Sequence, residues 1–184
     1  IFDDGGRMIR QGDRAQTKYR RSETLPGETM FLKARPFLVS LLLLALLLPV
    51  EIYVIGDLLG AGIQCPLFRY QETYLGNNTI TILRDLDYVT FGIIGGRSAL
   101  SILLRVSGSA LLIAAVIYLI WRWREDYETF RRPLALLTAG AGVAYLLSCI
   151  AQYGPTLHGP SGFRVPVGVP LIGVIAVYML MVED

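Results

Sequence analysis

The sequence predicts an all-α integral membrane protein, a four-helix transmembrane bundle carrying a small extracytoplasmic β-hairpin loop domain. Three observations lead there. Of 184 residues, 53% are hydrophobic and only 17% charged, where a soluble domain carries about 25% charged residues. The charges come in blocks: they are dense over 1–35 and 122–132 and missing from 36–50, 106–121 and 133–151. Lysine and arginine also divide unevenly between the connecting segments, as they do on the two sides of a bilayer. The length suits one domain.

The first 35 residues are polar, with Gly5, Gly6, Gly12, Pro26 and Gly27 as breakers, and read as a cytoplasmic arm. A first span is expected over 36–56, with Pro36 in its opening turn and Pro49 kinking its outer third. Residues 57–97 are expected to form an outer loop. Within it, Tyr70–Tyr74 and Thr79–Leu83 flank Gly76-Asn77-Asn78, and the second arm alternates polar and apolar residues, so a hairpin is predicted. The stretch 85–96 is ambiguous.

A second span is expected over 98–121, with Arg105 snorkelling towards the outer interface. An inner loop (122–132), a third span (133–153), an outer loop (154–164) and a short fourth span (165–182) complete the chain. The short loops make consecutive helices antiparallel neighbours.

Orientation follows from the cations. The arm carries eight Lys or Arg and the 122–132 loop four, against five on the other side (Arg69, Arg84, Arg97, Arg105 and Arg164). Positive charge collects on the cytoplasmic face, so both termini are expected in the cytoplasm of a multi-pass cell-membrane protein. Trp121, Trp123 and Tyr127 would form an inner aromatic belt, and Tyr53 and Tyr153 an outer one. Thr138/Gly142, Gly140/Ala144 and Ala110/Ala114 are small-xxx-small pairs that let helix backbones approach closely. They serve either packing within the chain or a homo-oligomer seam.

A net charge of +2 with no long basic run suggests no nucleic-acid partner. The partners expected are the lipid bilayer and either another membrane protein or further copies of the chain. No cofactor and no metal site is expected, because no Walker, zinc or dinucleotide motif occurs. Glu51 is the acid well inside a span, where an unpaired carboxylate costs several kcal/mol, and Arg97 and Arg105 lie at its level as ion or partner candidates. Cys65 and Cys149 both fall on the outer side, where a disulfide or two buried free thiols are equally compatible with the sequence. Asn77-Asn78-Thr79 is a glycosylation sequon on Asn77. His158 and Ser161 share an outer loop and, with Glu51, are the catalytic candidates.

Gly159-Pro160-Ser161-Gly162 resembles the G-x-S-G motif of rhomboid proteases, which implies Ser161 as nucleophile and His158 as its base. In that family the base comes from another helix; here it is adjacent in sequence and the six-helix core is lacking. Thr90-Phe91-Gly92 with Gly95-Gly96 resembles in position the filter loop of potassium channels, without T-V-G-Y-G. The predicted layout of a long first and a short second outer loop is similar to that of claudins, whose W…G-L-W-C-C signature does not occur. No family is assigned on these fragments.

Three function classes remain. The leading expectation is a non-catalytic membrane protein, an accessory or partner-binding subunit acting through its first outer loop. The alternatives are a homo-oligomeric channel or transporter and an outer-face membrane hydrolase.

Overall fold

In the computed structural model the described residues are 26–56, 59–123, 127–159 and 162–181, with one compact unit running from Phe37 onward. The elements in chain order are α1 (Pro26–Leu47), β1 (Glu51–Ile55), β2 (Gly60–Gln64), β3 (Phe68–Thr73), β4 (Gly76–Thr81), α2 (Ile82–Thr90), α3 (Gly96–Trp121), α4 (Tyr127–Tyr153), β5 (His158–Gly159), β6 (Gly162–Val165) and α5 (Gly168–Met181). The expected all-α bundle with a small hairpin is therefore corrected. Among the described residues, five helices accompany a six-stranded antiparallel sheet ordered β4-β3-β2-β1-β6-β5.

The largest departure is in the expected first span. The apolar run of 36–56 does not stay helical; α1 stops at Leu47 and the chain re-emerges as β1. Pro49 has no amide hydrogen to extend the helix and disfavours helical backbone at Leu48 before it. Beyond it, Ile52, Val54 and Ile55 are β-branched, and burial alternates along Glu51, Ile52 and Tyr53, the period of a strand. A short apolar run is compatible with helix or strand by composition, and pairing on both edges decides for strand. Ile52 to Ile55 face Ile63 to Gly60 on one side and Val165 to Gly162 on the other.

Helix α1 also begins earlier than expected, at Pro26, so Pro36 lies inside it. The rest of the arm, up to residue 25, is outside the described residues.

The predicted hairpin forms from β3 and β4, but Thr73 pairs with Gly76, so Tyr74 and Leu75 make the turn and Asn77 and Asn78 fall in the second strand. The ambiguous stretch contributes α2, whose first turn is capped by Thr81, its hydroxyl accepting from the Arg84 amide at 3.5 Å. Helix α4 starts six residues before the expected boundary, with Pro133 inside it. Val165 belongs to β6, so the last helix is only 14 residues long.

Helices α1, α3, α4 and α5 share one apolar core, built from Leu42 and Leu46, Leu112 and Leu119, Phe130 and Leu134, and Ile172 and Met179. The sheet stands at one end of this group. α1 and α4 run into it and α3 and α5 leave it. The β2–β3 turn reaches inward, burying Cys65 and Pro66 and bringing Leu67 against the helix core. The Ser109 hydroxyl on α3 donates to the Pro66 carbonyl at 2.7 Å. Among the described residues, two helices are long and apolar enough to cross a membrane, Gly96–Trp121 and Thr129–Tyr153. At 1.5 Å per residue these span roughly 37 Å or more, above the roughly 30 Å of a hydrocarbon core.

Candidate functional site

Strand register determines which side chains face the helices. Directly opposite residues share a sheet face, so Glu51, Gln64, Arg69 and Ile80 form one cross-strand row, and Arg164, Tyr53, Gly62 and Gln71 form the next. This inner face is strongly polar, although it packs against apolar helices. The Tyr53 ring lies across Gly62, where a Cβ would come within 2.5 Å of the ring tip and of the Tyr70 carbonyl. Only glycine fits there.

Two ionic groups lie within this layer. In the first, Arg164 on β6 donates through Nη1 to both carboxylate oxygens of Glu51, at 2.9 and 3.1 Å, and Glu51 is 2% exposed. The Arg164 guanidinium is also stacked between Tyr53 and Tyr153, 5.5 and 5.2 Å from their ring centres, a geometry that favours a cation over an aromatic face. The Cys149 thiol on α4 donates to Glu51 Oε2 at 2.9 Å. Burial is the largest influence on Arg164 and works against its charge, but Glu51, Tyr153 and Cys149 together outweigh it and raise the guanidinium pKa.

In the second group, Asp85 on α2 is fully buried. One oxygen lies 2.9 Å from Arg69 on β3, and the other accepts from Arg105 on α3. Asp85 thus ties α2, the sheet and α3 together at one point.

Hydroxyl pairs lie about one helical turn before and one turn after Arg105 along α3. Ser109 hydrogen-bonds to the Tyr145 hydroxyl at 2.9 Å, and Ser101 to Ser148 at 3.0 Å, both between α3 and α4. Tyr53 stands between the two ionic groups: burial pushes its phenol pKa up, while Arg69, Arg164 and Arg105 pull it back. Gln64, buried in the first row between Glu51 and Arg69, has no hydrogen-bond partner for either amide atom among the described residues.

Chemically this layer is a clamp. Each buried carboxylate is held by arginine, which leaves neither of them free to act as a general base. Among the described residues no three His, Cys, Asp or Glu side chains converge on a metal position.

The expected site residues are dispersed. Glu51 does not lie in a helical span: it is buried on β1, and its partner is Arg164 rather than Arg97 or Arg105. Arg105 does not snorkel to the interface; it turns inward to Asp85. Arg97 is exposed at the first turn of α3. Cys65 and Cys149 are free and buried, so the disulfide is not formed, and burial raises the Cys65 thiol pKa. His158 is exposed and stacks on Phe163 at 6.3 Å, while Ser161 lies outside the described residues. Asn77 is exposed on β4. In the small-residue seam, Thr138 bonds to the Leu134 carbonyl and to Met179, and Gly142 lies against Ile172. That seam packs α4 on α5 within the chain.

Sequence reading missed Asp85, Arg69 and Arg164 as ion-pair partners, and it missed the outer face of the sheet. The signal for the outer face was the alternation itself, with Ile52, Val54, Ile63, Phe163 and Val165 in register opposite the polar positions. On that face Ile52 is 41% and Val165 45% exposed. A shallow depression there is bordered by Ile52, Ala61, Ile63, Tyr70 and Glu72.

The fold and site define a class: apolar helices capped at one end by an antiparallel sheet, with a buried ionic layer at the junction. Comparison with known protein families, with curated proteins and with solved structures finds no match.

Proposed function

We propose that this is a non-catalytic multi-pass membrane protein that binds a protein partner through the outer face of its sheet, as an accessory or partner-binding subunit. The apolar outer face carries this reading. Its charged residue is Glu72, and its exposed apolar side chains are Ile52, Ala61, Ile63, Phe163 and Val165, with the exposed polar residues Asn77, Thr79, Thr81 and His158 on the outer strands of the same face. Contiguous exposed apolar surface of this kind marks interaction sites. The neighbouring edge strand β4 holds no charge and no proline, the devices that usually keep a free edge from pairing. The partner surface that fits is apolar, with a cation placed to meet Glu72.

The membrane setting is supported by what the helices expose. A core helix of a soluble protein is mostly buried, but the apolar windows of α3 and α4 are only 44% and 50% buried. Ile117, Ile120, Leu136 and Val143 point outward. The orientation rests on the count of Lys and Arg, twelve on the arm and the 122–132 loop against five at the sheet end, where Arg69 and Arg105 share Asp85, Arg164 pairs with Glu51, and Arg84 and Arg97 are exposed. The arm and the 122–132 loop then lie in the cytoplasm and the sheet outside.

The test is photo-crosslinking in the native membrane from a benzoylphenylalanine at Ile63, with a second probe at Val143 as a lipid-facing control. A single protein adduct of defined mass from position 63, lost when Ile52→Asp or Val165→Asp is added, is the expected result. No discrete adduct at 63, or the same adducts from 143, contradicts the proposal.

A further inference from the structure

The turn between α2 and α3 exposes large apolar side chains that neither the ionic layer nor the outer sheet face accounts for. Phe91 is 76% and Ile93 68% exposed. This turn is fixed in place. The amides of Phe91, Gly92 and Ile94 bond back to the carbonyls of Asp87, Val89 and Tyr88 at 2.8, 3.1 and 3.0 Å. Gly92 and Gly96 take positive φ of +70° and +63°, which lets the chain reverse tightly before α3. Buried Asp85, paired with Arg105, anchors α2 to α3.

We infer that the Phe91–Ile94 turn is an interfacial membrane anchor that inserts Phe91 and Ile93 into the headgroup–acyl boundary of a phospholipid bilayer. The inference rests on the membrane reading above. Continuity with the apolar surface of α3 argues for lipid as the occupant: Leu100 and Leu103, on the first two turns after the anchor, are themselves exposed. The flanking charges fit a phosphate layer. Arg84 and Arg97 are both exposed, and Arg84 is steadied by its Nε donating to the Tyr88 hydroxyl at 2.9 Å. Asp87 is the acid exposed on the same helix. An aromatic side chain with neighbouring cations is the usual composition of an interfacial anchor. Since α2 is tied to the sheet through Asp85 and Arg69, such an anchor sets the tilt of the sheet relative to the bilayer.

The experiment uses the full chain with Trp121→Phe and Trp123→Phe, carrying either Phe91→Trp or Ile117→Trp as its single tryptophan. The protein is reconstituted in phosphatidylcholine–phosphatidylglycerol vesicles. Quenching is measured with lipid brominated on the acyl chain near the headgroup and with aqueous acrylamide. The expected result is that brominated lipid quenches both tryptophans and that the one at 91 is shielded from acrylamide. A tryptophan at 91 reached by acrylamide but not by bromolipid, while 117 is quenched by lipid, overturns the anchor and leaves the membrane reading standing. Shielding of 91 from both quenchers overturns it in favour of a protein contact, such as a second copy of this chain. If 117 also escapes bromolipid, the membrane reading fails and the anchor with it.

Discussion

Asp85→Ala is expected to be the most damaging single substitution in the chain, costing about 3–5 kcal/mol, the usual consequence of removing one partner from a buried ion pair. Asp85 is fully buried, and Arg69 and Arg105 converge on it from β3 and α3. Without it two guanidinium groups face each other inside the sheet–helix junction, with no acceptor in place of the carboxylate. Native stability is typically only about 5–15 kcal/mol, so the variant loses a large fraction of it. Thermal unfolding in mild detergent is the measurement: the midpoint falls sharply, or no folded protein is recovered. The control is the triple variant Asp85→Leu, Arg69→Met, Arg105→Met. Apolar replacement of a whole buried ionic group is often neutral, so this variant should be much more stable than Asp85→Ala. If Asp85→Ala unfolds within about 1 kcal/mol of wild type, as a surface substitution would, the clamp is not what joins the layers.

Arg164→Met is expected to have the second largest effect. Glu51 loses both of its Arg164 contacts and, among the described residues, keeps the Cys149 thiol as its donor. A cost of about 3 kcal/mol or more follows from stranding a buried carboxylate. Tyr53 and Tyr153 also lose the cation between them, worth up to about 2 kcal/mol when desolvated. Adding Glu51→Gln removes the stranded charge and should recover a substantial part of the loss. The two residues therefore couple strongly in a double-mutant cycle read by denaturation. Independent, additive effects would mean that the pair does not hold β1 to β6.

The part of this architecture that local composition reveals is the part stabilised locally. The charge-free runs of 106–121 and 133–151 lie in α3 and α4, the two helices long and apolar enough to span a bilayer. The hairpin was legible because its strands are close in sequence, although its turn is Tyr74-Leu75 and not the glycine–asparagine stretch. Glu51 stood out as an acid in a charge-poor run, but its place on β1 did not.

What stayed hidden is set by contacts distant in sequence. Glu51 and Arg164 are 113 residues apart, and no spacing rule links them. Asp85 and Arg105 are only 20 apart, but Asp85 sits in a stretch whose polarity resembles an ordinary loop. The conversion of 51–55 from expected helix to strand has the same origin: its partners, β2 and β6, lie on either side in space but in two different loops of the sequence. Pairing with both outweighed the apolar run that favoured a helix.

Cysteine accessibility in intact cells tests the central claim, a bilayer-embedded protein whose sheet faces away from the cytoplasm, most directly. Asn77→Cys and Thr129→Cys place exposed thiols on β4 and near the start of α4, while the native Cys65 and Cys149 are buried. The account predicts that a membrane-impermeant maleimide labels position 77 in intact cells and position 129 only after permeabilisation. Labelling of 129 but not 77 before permeabilisation, or equal labelling of both, would contradict it.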